Sequence, residues 1–438
     1  MPAPGIDPAE APRSALIARY QAVRDRSLAL AAPLSPEDCQ AQSMPDASPV
    51  KWHLAHVTWF FEIFVLERFE PGFEPFHPGF RALYNSYYNG VGEPFARAQR
   101  GLVTRPDLDT VRQWRAQVDA RMAELIASTR SDEALQLVEL GLQHEQQHQE
   151  LMLTDVKHLL SLNPLQPVYQ GGWPLASVAE VAAQWVACAG GLVEIGHSGG
   201  GFAFDNECPR HRTWLEPYAL MNRPVTHGEW LAFVEDGGYS DPRWWLAAGW
   251  DWVRAQGIRA PLYWTLPQEA GARPTVFTLH GPVPLDPHTP VTHISAFEAH
   301  AFAHWASATR ADWAGARLPT EAEWEAATAP LPVAGNFADS GALHPMPAPA
   351  PKGGATPGLC QLYGDVWEWT GSSYSAYPGF HPAEGAVGEY NGKFMVNQLV
   401  LRGGSCASPA EHVRVSYRNF FPAEARWQFS GLRLARSL

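Results

Sequence analysis

The 438-residue chain is short of four things, and each shortage removes a class of function. Its five cysteines, Cys39, Cys188, Cys208, Cys360 and Cys406, are odd in number and have no CxxC spacing, which argues against a disulfide framework and for a reducing, cytoplasmic setting. No run of about 18 apolar residues occurs, so no membrane-spanning helix is expected. The opening residues, MPAPGIDPAEAPRSALIARY, lack a basic stretch followed by an apolar one, so no signal peptide is expected. Positive charge is scarce as well. Against 45 Asp and Glu stand 32 Lys and Arg, a formal net charge of −13 without a basic cluster, which disfavours nucleic acid or an anionic membrane as a partner.

Aromatics are abundant, with 18 Trp, 13 Tyr and 20 Phe, and the 39 Pro and 37 Gly suggest that part of the chain is loop-heavy. The first 160 or so residues carry a helical period. Residues 11–30 read as an amphipathic helix, followed by a break at 33–45. A second helix has Ser48 as N-cap and Pro49 at its first position, a third spans about 107–128, and the fourth runs over 131–160. Between the second and third, 70–105 is rich in Gly, Pro, Asn and aromatics and reads as a functional loop. This pattern predicts an up-down four-helix bundle with one long insertion.

The fourth helix holds His144 and His148, one above the other on one face. The text His144-Glu145-Gln146-Gln147-His148 fits H-E-x-x-H, which is ambiguous by itself. It can be a solvated Gln/Glu/His face. It can be a zinc-peptidase helix, with Glu145 as general base and a third ligand downstream. Or its third ligand can come from another helix of the bundle, where the second helix offers His53 and His56.

Beyond about residue 165 the period stops and short apolar runs alternate with Gly, Pro, Asp and Asn, which predicts an α+β domain with short strands and helices near 226–234, 296–308 and 320–328. The Ala/Pro-rich stretch 343–357 reads as a surface loop. Six blocks run through this half in order: Gly196 with Phe204-Asp205-Asn206-Glu207, Pro224-Val225-Thr226, Arg317-Leu318-Pro319-Thr320-Glu321-Ala322-Glu323-Trp324-Glu325, Gly364-Asp365-Val366-Trp367-Glu368-Trp369-Thr370, Leu401-Arg402-Gly403-Gly404-Ser405 and Gly431-Leu432-Arg433. Together they resemble the formylglycine-generating-enzyme-like fold, a C-type-lectin variant. Leu434 stands where the formylglycine generators' motif would have a copper-binding Cys, which disfavours that activity.

Joined to a bundle carrying HEQQH, this half makes the chain resemble the ergothioneine-biosynthesis sulfoxide synthases, with a DinB-like bundle over 1–165 and a lectin-type domain over 166–438 that completes the substrate pocket. Trp52-His53-Leu54-Ala55-His56, Asn85-Ser86-Tyr87-Tyr88 and Tyr417-Arg418-Asn419-Phe420-Phe421 also carry the likeness. The resemblance implies Fe(II) held by His56, His144 and His148, with His53 a neighbour. It implies oxidative attachment of sulfur to C2 of hercynine (Nα-trimethylhistidine) by dioxygen, giving a sulfoxide.

Tyr87 and Tyr88 match a tyrosine pair of the branch that uses free cysteine, and one of them suits proton donation. Gln147 matches a glutamine on the imidazole substrate, and Asn419 a polar pocket residue. Phe421 replaces an acidic residue of the γ-glutamylcysteine-using branch. Arg97 and Arg100 could clamp a donor carboxylate, and Phe420, Phe421, Trp427 or Tyr377 could cage the trimethylammonium group.

Closely related selenoneine synthases join a selenosugar to hercynine, and nothing in the sequence separates them from this branch. Two other classes keep parts of the pattern: a zinc-dependent thiol transferase of DinB type, and a lectin-like binder. The expected partners are small molecules, and the expected state is a monomer or small homo-oligomer.

Overall fold

The computed structural model describes residues 10–174, 180–267, 269, 272–349, 358–389 and 391–438. The chain divides into two compact units, Met1–Leu162 with Glu384–Tyr390, and Asn163–Ala383 with Asn391–Leu438.

Four long helices build the first unit: α1 (Glu10–Ala31), α2 (Val50–Phe60), α3 (Leu108–Ser128) and α4 (Asp132–Ser161). Side-chain caps start α3 and α4, where Asp107 accepts from the amide of Thr110 and Ser131 from that of Ala134. Both α1 and α2 pack on both α3 and α4, burying Tyr20, Val23, Leu54, Val57, Val111, Trp114, Val118, Met122, Val138 and Leu142. This is the helical bundle that the periodicity predicts.

Every residue of α2 is buried, polar ones included, so each polar group needs a partner. The ammonium of Lys51, for example, donates to the carbonyls of Val103 and Pro106. The expected cap at Ser48 does not form. Pro49 flanks the helix instead, while the Ser48 amide donates to Asp155 and its hydroxyl accepts from Arg100. Tertiary partners have taken the groups that a cap would use. After Phe60 the helix widens into a π-turn, Phe61–Leu66, in which the Glu62 carboxylate accepts from the Trp114 indole and the Phe76 amide. No described helix is long and apolar enough to cross a membrane.

In the second unit the strands are short: β1 (Trp185–Cys188), β2 (Gly191–Ile195), β3 (His211–Leu215), β4 (Tyr218–Met221), β5 (Trp264–Thr265), β6 (Thr275–Thr278), β7 (Gly281–Pro284), β8 (Trp367–Ser373), β9 (Gln398–Arg402), β10 (Asn419–Pro422), β11 (Ser430–Gly431) and β12 (Ala435–Ser437). They form sheets in the orders β1-β4-β12, β2-β3, β5-β6-β7 and β10-β9-β8-β11, the last with β11 parallel to β8.

The sequence blocks are the framework of this unit. Thr320 and Glu323 cap α8 (Glu321–Thr328) reciprocally, Trp324 donates to Glu368, and Glu368 is bound by the guanidinium of Arg433. Gly403 has φ +101, and a Cβ there would stand 2.5 Å from the Leu362 carbonyl oxygen, so only glycine fits.

Expected helices are present as α5 (His227–Glu235), α7 (Ala296–Thr309) and α8. The structure adds α6 (Ala247–Gln256), whose Gly249 and paired tryptophans hide its period and which ends at left-handed Gly257. The stretch 343–357 is not a surface loop where it is described. Leu343, His344 and Ala348 are buried, and the Met346 amide donates to Asp365; residues 350–357 lie outside the described residues.

Candidate metal centre

Two helices of the bundle bring three imidazoles together. His56 of α2 and His144 and His148 of α4 each offer a nitrogen, and these atoms all lie within 4.8 Å of one another. The residues are 0%, 1% and 9% exposed. The His56 ring is sandwiched between Trp52 (4.5 Å between centroids, 13°) and Trp59 (5.4 Å, 18°), and His144 packs on Phe60. The Nδ1 of His56 lies 2.7 Å from the Tyr84 carbonyl oxygen, which can only accept, so Nδ1 carries the proton. The lone pair is then on Nε2, a buried atom without a hydrogen-bond partner. That orphaned nitrogen beside two further imidazoles fits a divalent ion with histidine ligands.

Burial lowers the proton affinity of all three. It brings His144 down to about 3 and holds His56 and His148 well below the usual imidazole value, so the set is neutral at pH 7. In chelated protein the unfolded imidazoles take up protons below about pH 6.5 while the folded ones do not. This stability is therefore complete above pH 6.5 and is lost as pH falls toward the folded values. His144 alone accounts for about 2 kcal/mol of expected loss at pH 5. Urea unfolding at pH 7 and 5 tests this, and H144L, with no proton to gain, should lose correspondingly less.

Glu145, between the two histidines, points into a different environment. It is fully buried and accepts from Arg24 Nη1 (2.8 Å), Ser27 Oγ (2.6 Å) and the Arg115 guanidinium. Burial opposes its charge, but Arg115 and Arg24 hold its carboxyl below the ordinary range. A base for a zinc-peptidase mechanism would have to face the metal; this carboxylate is spent on two arginines.

Around the cluster, the loop after Tyr84 is folded by Asn85, whose amide donates to the carbonyls of Tyr88 (2.9 Å) and Gly92 (2.8 Å) while its oxygen accepts from the Tyr88 amide. Tyr88 is buried against Trp59 and Phe64, and Tyr87 lies half-buried on Tyr88 at 4.7 Å. Burial raises the Tyr88 phenol well above its usual value. The Glu389 carboxylate, in the Glu384–Tyr390 piece of this unit, accepts from the amides of Asn89 and Gly90.

Arg97 and Arg100 part ways. Arg97 is exposed and donates to the Asp46 carbonyl. Arg100 is buried, donates to the hydroxyls of Ser48 and Ser86, and stacks 3.4 Å over Trp52, the ring that faces His56. Burial, with Arg97 nearby, lowers Arg100 to about 9. Gln147 is half-buried on α4 between the two histidines.

In the second unit, Asn419, Phe420 and Phe421 open β10 and are half-buried. The Asn419 side-chain oxygen accepts from the Phe420 amide; Phe420 stacks on Tyr374 (4.0 Å, 12°); Phe421 meets Trp427 edge-on (5.7 Å, 82°). Tyr377 is buried, with the Arg418 guanidinium 3.9 Å over its ring.

Sequence reasoning missed one set of contacts. His53 faces His148 through 2.8 Å between their Nδ1 atoms and Asp155 through 3.0 Å from its Nε2. The only hint was the three-residue spacing from His56.

Comparison with known proteins agrees in both halves. The model of the sulfatase-modifying factor enzyme 1-like domain matches residues 175–350 and 346–438, and that of the DinB superfamily matches residues 19–152. A Mycolicibacterium smegmatis protein named hercynine oxygenase is 34% identical over 457 residues, covering 97% of this chain and 99% of its own. A Mycobacterium tuberculosis protein of the same name is 33% identical over 411 residues, covering 89% and 91%. The formylglycine-generating enzyme of Streptomyces coelicolor is 29% identical over 271 residues, covering 50% of this chain and 77% of its own.

Proposed function

The chain belongs to the hercynine oxygenase family and is an oxidoreductase, and on that premise we propose that it joins the sulfur of free cysteine to C2 of hercynine, using Fe(II) and dioxygen and releasing a sulfoxide. The observation that carries the iron assignment is the buried triad of His56, His144 and His148. Bound there, ferrous iron would supply dioxygen activation and binding positions for a thiolate and an imidazole.

Three neutral imidazoles bring no negative charge to such a site, so an anionic thiolate is favoured beside them. Tyr88 keeps its proton at neutral pH because burial disfavours phenolate, and Tyr87 lies on its ring; the pair suits a proton donor held in place by Trp59 and Phe64. Gln147 shares the α4 segment of the two histidines, where an amide can bond an imidazole N–H. Arg100, more than exposed Arg97, suits a donor carboxylate, since its buried Nε has no partner. For the trimethylammonium group, half-buried Phe421 suits an aromatic wall more than Phe420, whose ring is already stacked on Tyr374.

The test is an aerobic assay of iron(II)-loaded protein with hercynine, offering cysteine, γ-glutamylcysteine and a selenosugar in parallel, with products identified by mass. The expected product is the cysteine-derived sulfoxide. A carbon–selenium product instead would move the assignment to selenoneine synthesis, and zinc-supported turnover without oxygen would overturn the oxidative reading. Y88F or Y87F, whichever removes the donor, should lower turnover about a hundredfold.

A further inference from the structure

We propose that His53 and Asp155 are positioning residues for the metal site: together they fix the ring orientation and tautomer of His148 so that its Nε2 faces the ion. The inference rests on His148 being a ligand and adds what holds it in that state.

The geometry is a chain of three groups from two helices. The Asp155 Oδ2 accepts from the Ser48 amide at 2.8 Å and lies 3.0 Å from Nε2 of His53; the His53 Nδ1 lies 2.8 Å from Nδ1 of His148. His53 and Asp155 are 2% and 5% exposed, so water does not compete for these bonds.

Polarity follows from the carboxylate end. Asp155 can only accept, so the His53 Nε2 carries the proton. A neutral His53 then has its lone pair on Nδ1, which must accept from the His148 Nδ1–H. That leaves the His148 lone pair on Nε2. His56 reaches the same tautomer by another route, through the Tyr84 carbonyl. Two ligands on two helices are thus set for Nε2 by acceptors behind them, the arrangement by which outer groups tune metal-binding histidines.

The same bonds exclude His53 as a fourth ligand, because both of its nitrogens are engaged. Without Asp155 the polarity is no longer fixed: His53 can donate through Nδ1, His148 then accepts at Nδ1, and its Nε2 carries a proton that repels a cation. Asp155 is itself held, since Ser48, whose amide it binds, receives the Arg100 guanidinium on its hydroxyl.

The experiment is anaerobic titration of full-length protein with Co(II) against a competing chelating dye, with the cobalt visible spectrum as a second readout. D155A and H53F should each weaken cobalt binding by roughly 10- to 100-fold and change the spectrum. Because both act through one chain, the double variant D155A/H53F should be little worse than either single one. H53Q, whose carbonyl can still accept from His148, should retain affinity to within about tenfold of wild type, and D155N, which keeps an acceptor oxygen, should behave likewise.

These two conservative variants also keep the inference testable should H53F not fold. Wild-type affinity in D155A and H53F, beside a cobalt-binding wild type, overturns the relay alone. A wild-type protein that binds no cobalt removes the ligand reading of His148 and the relay with it.

Discussion

H148A is expected to lose the metal and, with it, turnover. The size of the effect follows from what one ligand is worth. Four-ligand structural zinc sites bind with about 10–16 kcal/mol at neutral pH, or roughly 2.5–4 kcal/mol per ligand, so deleting one of three should weaken binding by roughly a hundred- to a thousandfold. Iron(II) stands below zinc in the affinity series, so at micromolar metal the variant should be largely empty, with turnover down by about a thousandfold or more. H56A and H144A should fall in the same range, well beyond the loss expected at His53 or Asp155.

H158A is the control. His158 is on the same helix but bonds Ser43 and stands outside the cluster, so metal content should not change. Metal analysis after anaerobic loading and desalting, with circular dichroism to verify folding, checks this. An H148A protein that is folded, fully loaded and active would remove His148 from the metal site and the triad from the reaction.

Part of this site was legible in the chain because short-range periodicity encodes it. His144 and His148 are four apart in a segment without proline, and α2 and α4 each carry a period long enough to predict a bundle, so a pair of imidazoles on one face follows from local rules, whereas taking His56 rather than His53 as the third rests on the family resemblance. What fixes those imidazoles is long-range and leaves no periodic trace. His53 meets Asp155 across 102 positions, and the Tyr84 carbonyl that orients His56 is backbone, invisible to any motif. Arg97 and Arg100 look equivalent on paper because both are arginines in one loop; a short 3-10 turn, Arg97–Leu102, sends one outward and the other onto Trp52. Ser48 was misplaced for a related reason: a good capping residue was claimed by two tertiary partners before it could cap.

Glu145 provides the sharpest contrast between motif and structure, and E145A should be the most destabilising change on α4. Its carboxylate sits among Arg24, Arg115 and Ser27, with Arg24 also bound to Asp119 and Arg115 donating to the Arg24 carbonyl. Both guanidinium groups are almost wholly buried. Truncating Glu145 leaves Arg24 its second carboxylate, while Arg115 loses the only ion-pair partner described for it.

An uncompensated buried charge of this kind costs about 3–5 kcal/mol, which for a unit of this size lowers the melting temperature by roughly 10 °C. E145Q, still an acceptor but neutral, should lose less. The loss has a pH signature as well: the Glu145 carboxyl titrates below its unfolded value, so its stabilisation is present above about pH 4.5 and fades as pH falls through the lower folded value.

In a zinc-peptidase helix the same substitution would do the reverse, leaving stability nearly intact and abolishing catalysis, because there the glutamate handles a proton at the metal. Here the folded fraction of E145Q should bind metal and turn over within a few-fold of wild type. Denaturant midpoints read beside turnover separate the two roles, and an E145Q protein as stable as wild type yet catalytically dead would put the carboxylate back in the reaction.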